Sequence, residues 1–180
     1  MASLAESEAV SEADQTYVFS DINWVTAGRV AAVRNQGQCG SCWAFATASA
    51  VESAIAIKGK KAASYLSTQQ LVDCNTGTGN NGCNGGWYNA ALDYIKGVGL
   101  TTDTAYPYKA KAATCALAST AVRSKIISYN QCSRGGSSGC TDSKIHTWLK
   151  AGPVAAVIDA YPIMDYGSGL FIPTGVDLCT

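Results

Sequence analysis

The run Gln36-Gly37-Gln38-Cys39-Gly40-Ser41-Cys42-Trp43-Ala44-Phe45 gathers residue types that do nucleophilic chemistry. Cys42 stands where a loop of glycines and small polar residues gives way to a helical pattern. A cysteine at the first position of a buried helix receives the positive end of the helix dipole and nearby unpaired backbone N–H groups. Both favour the thiolate, which is the nucleophilic form. The glycines just before it let a substrate backbone come close. Gln36 lies six residues upstream on the same loop. Its amide is placed to point an N–H at an oxygen bonded near the sulfur, and with the backbone N–H of Cys42 it makes an oxyanion hole.

These residues need a frame. Asn35 to Ser41 is a loop. Cys42 to Lys58 reads as one helix, with six alanines, no Gly or Pro, and Glu52 as the one charge before Lys58. Apolar and small residues surround it, which predicts a buried central helix. Ser67-Thr68-Gln69-Gln70 fits a capping box ahead of Leu71 and Val72 and starts a second helix. Asn75 to Gly86 is a Gly/Asn loop. Trp87 to Lys96 is helical, with Ala91, Leu92 and Ile95 on one side and Gly97 as the stop. Before the loop, Tyr17 to Val33 looks extended, with Phe19, Ile22, Trp24 and Val25 as burial candidates. In the second half, Val122 to Tyr129 is β-like, and Gln131 to Cys140 is a Ser/Gly loop bracketed by cysteines. Thr141 or Asp142 caps a short helix carrying Ile145, Trp148 and Leu149, which Gly152-Pro153 ends. Val154 to Ile158 reads as a buried strand, and Phe171-Ile172 as the start of another. Helices first and strands later predict an α+β fold.

Composition bounds the function. The 180 residues are 47% hydrophobic and 14% charged, which excludes disorder over the whole length. Lys+Arg and Asp+Glu are both 13, and no Lys/Arg-rich run occurs, so a nucleic-acid partner is not expected. No apolar stretch reaches the roughly 18 residues that a membrane span needs. Met1 to Gln15 lacks the apolar centre of a signal peptide. Residues 1–20 carry four acids and no base, while the other 160 carry nine acids and thirteen bases. Residues 1–16 are expected to be a flexible acidic leader, with a short helix as the alternative. Eight cysteines stand beside a single histidine.

The Gln36–Phe45 run resembles the active-site segment of papain-family cysteine peptidases, such as papain and the cathepsins. Leu71-Val72-Asp73-Cys74, Gly82-Cys83-Asn84-Gly85-Gly86, Tyr106-Pro107-Tyr108 and Gly152-Pro153-Val154 look like further landmarks of that family, in its order. The resemblance covers about residues 20–180. It implies a two-lobed α+β fold with substrate in the cleft. A helical lobe, complete over 17–120, carries the nucleophile helix, and 121–180 is the first part of a β-barrel lobe. It implies an endopeptidase that hydrolyses peptide bonds through a Cys acyl-enzyme, with no metal and no cofactor. By position, Cys42 is the nucleophile and Gln36 the oxyanion donor. Cys39 would pair with Cys83, and Cys74 with Cys115. Gly85 and Gly86 would hold the substrate backbone, and Glu52 would be a buried structural acid. Trp87, Tyr88, Val157 and Ala160 would line the pocket for the residue one before the scissile position.

The family also needs a His as general base and an Asn to orient it. The base is expected about 130–150 residues after the nucleophile. Residues 172–180 hold no His, and the lone His146 follows Cys42 by 104 residues. His146 reads as an ordinary helix residue, and Asn130 is no substitute for the orienting Asn. The resemblance puts the base just past Thr180. The expectation is a peptidase fragment whose His comes from a downstream segment or a second chain, with this chain inactive alone. Cysteine counting agrees. With Cys42 free, Cys132 and Cys140 close a third disulfide eight residues apart, and Cys179 is left without a partner. Three disulfides imply an oxidising route, lysosomal, vacuolar or secreted. Three other readings stay open on the residues. Cys39-Gly40-Ser41-Cys42 is also a redox Cys-x-x-Cys motif. Cys39, Cys42, Cys74 and Cys83 are a zinc set of irregular spacing. The chain could also belong to an inactive, binding-only relative.

Overall fold

The computed structural model describes residues 22–77, 79–132, 140–158 and 167. Four helices appear in order: α1 (Cys42–Lys58), α2 (Thr68–Cys74), α3 (Tyr88–Gly97) and α4 (Asp142–Ala151). α1 packs against both α2 and α3.

α1 buries Trp43, Ala44, Thr47, Ala48, Val51, Glu52, Ser53 and Ala56, a stripe with helical period. Its small residues let α2 and α3 come close. The expectation of burial all round is corrected among the described residues. Cys42, Ala54 and Lys58 are exposed, and Ala50 and Ala54 face a cavity of about 310 Å³. Across that cavity lie Tyr88 and Leu92 of α3, Ile126, Tyr129 and Trp148. Tyr129 is tied to α3 by a 2.8 Å bond from its hydroxyl to Asp93.

α2 starts where the capping signal says. Ser67 Oγ accepts the Gln70 backbone N–H at 2.9 Å. The other half of a capping box is missing, because the Gln70 side chain is used elsewhere. Its amide donates to the Gly99 carbonyl at 2.8 Å and to Tyr94 Oη at 3.1 Å. Its carbonyl oxygen accepts the Thr101 N–H at 2.9 Å. A fully buried glutamine thus staples α2 to the chain leaving α3. Asp73 does similar work toward the 106–116 loop. It accepts bonds from Gln69, Ala113 and the Tyr106 hydroxyl at 2.8, 2.8 and 2.9 Å.

α3 keeps Ala91 and Ile95 buried and Leu92 against the core. It ends at Gly97, as the sequence predicts. The left-handed turn falls at Gly99, with φ +87°. The core between α1, α2 and α3 also takes in Leu66, Leu71, Val72 and Leu100. Truncating fully buried Leu71 to Ala should cost about 2–5 kcal/mol.

Two strand expectations are corrected. No strand occurs among the described residues, only isolated bridges, one of them pairing Leu100 with Ser124. Val122 and Ile127 are exposed, as are Val157 and Ile158. An alternating or apolar run becomes a strand only when a neighbour supplies a ladder, and no described segment does so here. The Tyr17–Val33 reading is also corrected where it is described. Asn23 Oδ1 accepts the Val25 and Thr26 N–H groups, so 24–28 is a turn and Val25 is exposed. Trp24 is half-buried, with its indole N–H on the Leu149 carbonyl at 2.7 Å. The acidic leader, Phe19, Ala160, Phe171-Ile172 and Cys179 lie outside the described residues.

Candidate active site

Cys42 is the first residue of α1, exposed and free of any disulfide. The loop before it is held from three directions. Cys39 is joined to Cys83, with Cα atoms 4.6 Å apart. Gly40 bridges Asn84 in parallel, its N–H on the Cys83 carbonyl at 2.8 Å. Trp43 donates its indole N–H to the Gly82 carbonyl at 3.1 Å. The loop before Cys42 and the 82–87 segment are therefore tied to each other. Only a glycine fits at position 40, since a Cβ there would stand 2.6 Å from the Cys83 carbonyl oxygen.

Gly85 and Gly86 differ in kind. Gly85 has φ +103° and open space beside it. Gly86 lies against the Trp43 ring, and a Cβ there would come within 2.7 Å of it. Asn80, which is buried, accepts the Trp87 N–H at 2.5 Å and donates to Asn75 Oδ1 at 2.6 Å. Asn80 thus sets the path of the Gly85–Trp87 backbone. Sequence reasoning missed it. Its signal was one more Asn in a Gly/Asn loop, which says turn and nothing more.

Gln36 is half-buried. Its amide donates to the Cys39 carbonyl at 3.0 Å, which aligns the side chain along the loop. The Gln36 backbone carbonyl accepts a bond from the Tyr108 hydroxyl at 2.8 Å. Glu52 is buried, two residues past the middle of α1. One of its oxygens accepts the Leu66 N–H at 2.8 Å and faces Arg34 at 3.1 Å. Burial holds the Glu52 carboxyl above its ordinary range. The Leu66 N–H and Arg34 work against that rise, and Asp103 adds to it. Arg34 also stacks over the Phe45 and Tyr65 rings, at 5.0 and 4.5 Å.

Of the three described residues expected around the substrate pocket, one lines the apolar cavity. Tyr88 lines the apolar cavity with Leu92 and Trp148, but Trp87 and Val157 do not. Trp87 is 44% exposed and Val157 is 70% exposed. His146 lies on α4, whose carboxyl end is anchored away from Cys42. Gly152 packs on Ile57 in the last turn of α1, about 22 Å along the helix from Cys42.

Two further pairs form among the described residues, Cys74–Cys115 and Cys132–Cys140. With Cys39 bound to Cys83, the Cys39–Cys42 redox pair does not form. Among the described residues, no group of three or more His, Cys, Asp or Glu is placed to hold a metal ion. Among them, too, no helix is long and apolar enough to cross a membrane.

Residues 18–179 match the family described as papain family cysteine protease. A cathepsin L-like proteinase of Phaedon cochleariae is 43% identical over 156 residues, covering 83% of this chain and 45% of that protein. Digestive cysteine proteinase 2 of Homarus americanus is 38% identical over 155 residues, 84% of this chain and 46% of that one. Among solved structures, digestive procathepsin L 3 from the larval midgut of Tenebrio molitor aligns with a TM-score of 0.49 and 42% identity. That alignment covers 53% of this chain and 31% of that one. The chain spans about half the length of the curated relatives it matches. With most of its residues inside the family match, this chain belongs to the papain family of cysteine proteases, and its fold is the papain-like α+β fold.

Proposed function

We propose that the chain carries the nucleophile half of an endopeptidase that hydrolyses peptide bonds through an acyl-enzyme on Cys42. The observation that carries this reading is an exposed, unpaired Cys42 at the start of α1, on a loop fixed by a disulfide, a bridge and an indole bond. Cys42 Sγ attacks the scissile carbonyl. The oxyanion is met by the Cys42 backbone N–H, one of the orphan donors at a helix start, and by the second hydrogen of the Gln36 amide, whose first is used on Cys39. The leaving amine takes a proton, and water then releases the acyl group. Gly85 and Gly86 hold the substrate main chain, with the open face of Gly85 toward it. Trp87, Tyr88, Val157 and Ala160 form an apolar subsite for the residue one before the scissile position.

The general base and its orienting Asn come from outside residues 1–180, on a downstream segment or a second chain, and His146 takes no part. Residues 17–120 are the helical lobe and 121–180 the start of the barrel lobe. Substrates are peptides or proteins. Three disulfides support an oxidising compartment, lysosomal, vacuolar or secreted. The test is hydrolysis of a peptide amide by the full-length protein, before and after Cys42→Ala and after alkylation of Cys42. Both treatments should abolish it. Activity that survives them would overturn the reading.

A further inference from the structure

The hydroxyl of Tyr108 sits between two residues that flank the nucleophile loop. It donates to the Gln36 carbonyl at 2.8 Å and lies 2.6 Å from Ser41 Oγ. A carbonyl can only accept, so the single Tyr108 hydrogen is spent on Gln36. Ser41 is therefore the donor to Tyr108. Its 3.3 Å contact with the Cys39 carbonyl is the weaker use of the same hydrogen. A relay of hydrogen bonds thus runs from Ser41, which precedes Cys42 in sequence, through Tyr108, to the backbone of the proposed oxyanion donor.

Two features show that this relay displaces a more ordinary arrangement. Ser41 is the N-cap residue of α1 and fully buried, yet its side chain makes no capping bond. A serine at that position ordinarily caps its helix. The Tyr108 ring is also fixed by α1 itself. It stands edge-on to Phe45, with centroids 4.8 Å apart at 75°. The first turn of the nucleophile helix therefore aims the hydroxyl that holds Gln36.

We propose that Tyr108 is a positioning residue for the oxyanion hole. It fixes the Gln36 backbone, and through it the starting point of the Gln36 amide, relative to Cys42. This rests on the peptidase reading given above. Removing an oxyanion donor costs about 100- to 1000-fold in turnover. Loosening one by a fraction of an ångström should cost about 10-fold.

The experiment compares Tyr108→Phe, Gln36→Ala and the double variant in the full-length protein. Phenylalanine keeps the ring on Phe45 and removes only the hydroxyl. Tyr108→Phe should lower kcat about 10-fold and leave KM within about 2-fold. Alkylation of Cys42 by iodoacetamide needs no oxyanion hole and should keep its rate. In the Gln36→Ala background, Tyr108→Phe should cost less than about 2-fold. Unchanged kcat, an equal loss in both backgrounds, a loss carried by KM, or alkylation slowing in step would each overturn the proposal. A full-length protein with no Cys42-dependent hydrolysis would instead refute the peptidase reading. Tyr108 is then judged by NMR exchange of the Gln36 side-chain amide, which needs no turnover. Faster exchange in Tyr108→Phe supports the relay, and an unchanged rate overturns it.

Discussion

Gly86→Ala adds one methyl group at a crowded point, against the Trp43 ring that follows Cys42. The new Cβ would stand 2.5 Å from Asn80 Oδ1 and 2.7 Å from the Trp43 ring. Neither neighbour is a flexible end that swings away. Trp43 is buried and bonded to the Gly82 carbonyl, and Asn80 is buried between Trp87 and Asn75. The clash must be relieved by moving the 85–87 backbone outward. Such overpacking costs about 1–3 kcal/mol. In a chain of this size each kcal/mol lowers Tm by about 2–4 °C, so a fall of about 4–8 °C is expected for a mid-range cost. Because that backbone is the proposed rest for substrate, KM should rise more than kcat falls. Calorimetry and steady-state kinetics on a peptide amide check both parts. Gly85→Ala is the contrast, since space is open there and only its φ of +103° is strained. A Gly86→Ala protein with native Tm and native KM would refute the packing argument.

Gln36→Ala should lower kcat about 100- to 1000-fold with little change in KM, measured by steady-state kinetics, because the bond to the oxyanion forms only in the transition state. Glu52→Gln should flatten the pH dependence of stability. The Glu52 carboxyl is held above its unfolded value by burial, so its favourable contribution is present in acid and lost as pH rises through the raised value. Chemical denaturation should show wild type losing ground to Glu52→Gln from pH 4.5 toward neutrality, and an opposite trend would contradict the burial argument. A peptide library on the full-length protein should favour Leu, Val or Phe one position before the scissile residue, since burying such a side chain is worth about 1.5–3 kcal/mol. A preference for an acidic residue there would contradict an apolar subsite. Residues 1–180 alone should hydrolyse on the order of a million-fold more slowly than a complete enzyme, the cost of losing the base in a comparable protease.

What the sequence made legible was local. The Ser67 cap, the glycines around Cys42 and the helix start at Cys42 all depend on neighbours a few residues apart. The Cys39–Cys83 and Cys74–Cys115 pairs span 44 and 41 residues, and spacing alone could not choose them; the family resemblance did. Gln70 shows the limit of motif reading. Half of its capping box forms, and the side chain serves Gly99 and Thr101 instead. Tyr108 and Asn80 were illegible for the same reason. Tyr108 acts on Gln36 from 72 positions away, and Asn80 acts through a buried bond to a backbone group. The apolar runs at 122–129 and 154–158 had strand composition, but strand formation belongs to pairs of segments, not to one.

The central claim is that Cys42 becomes acylated. Full-length protein mixed with a peptide ester and quenched in acid within one turnover gives an intact mass and a peptide map. One acyl group per chain is expected, carried on the peptide that holds Cys42, absent from Cys42→Ala and removed on further incubation. Hydrolysis of the same ester by Cys42→Ala at the unsubstituted rate, or an acyl group mapped to another residue, would contradict it.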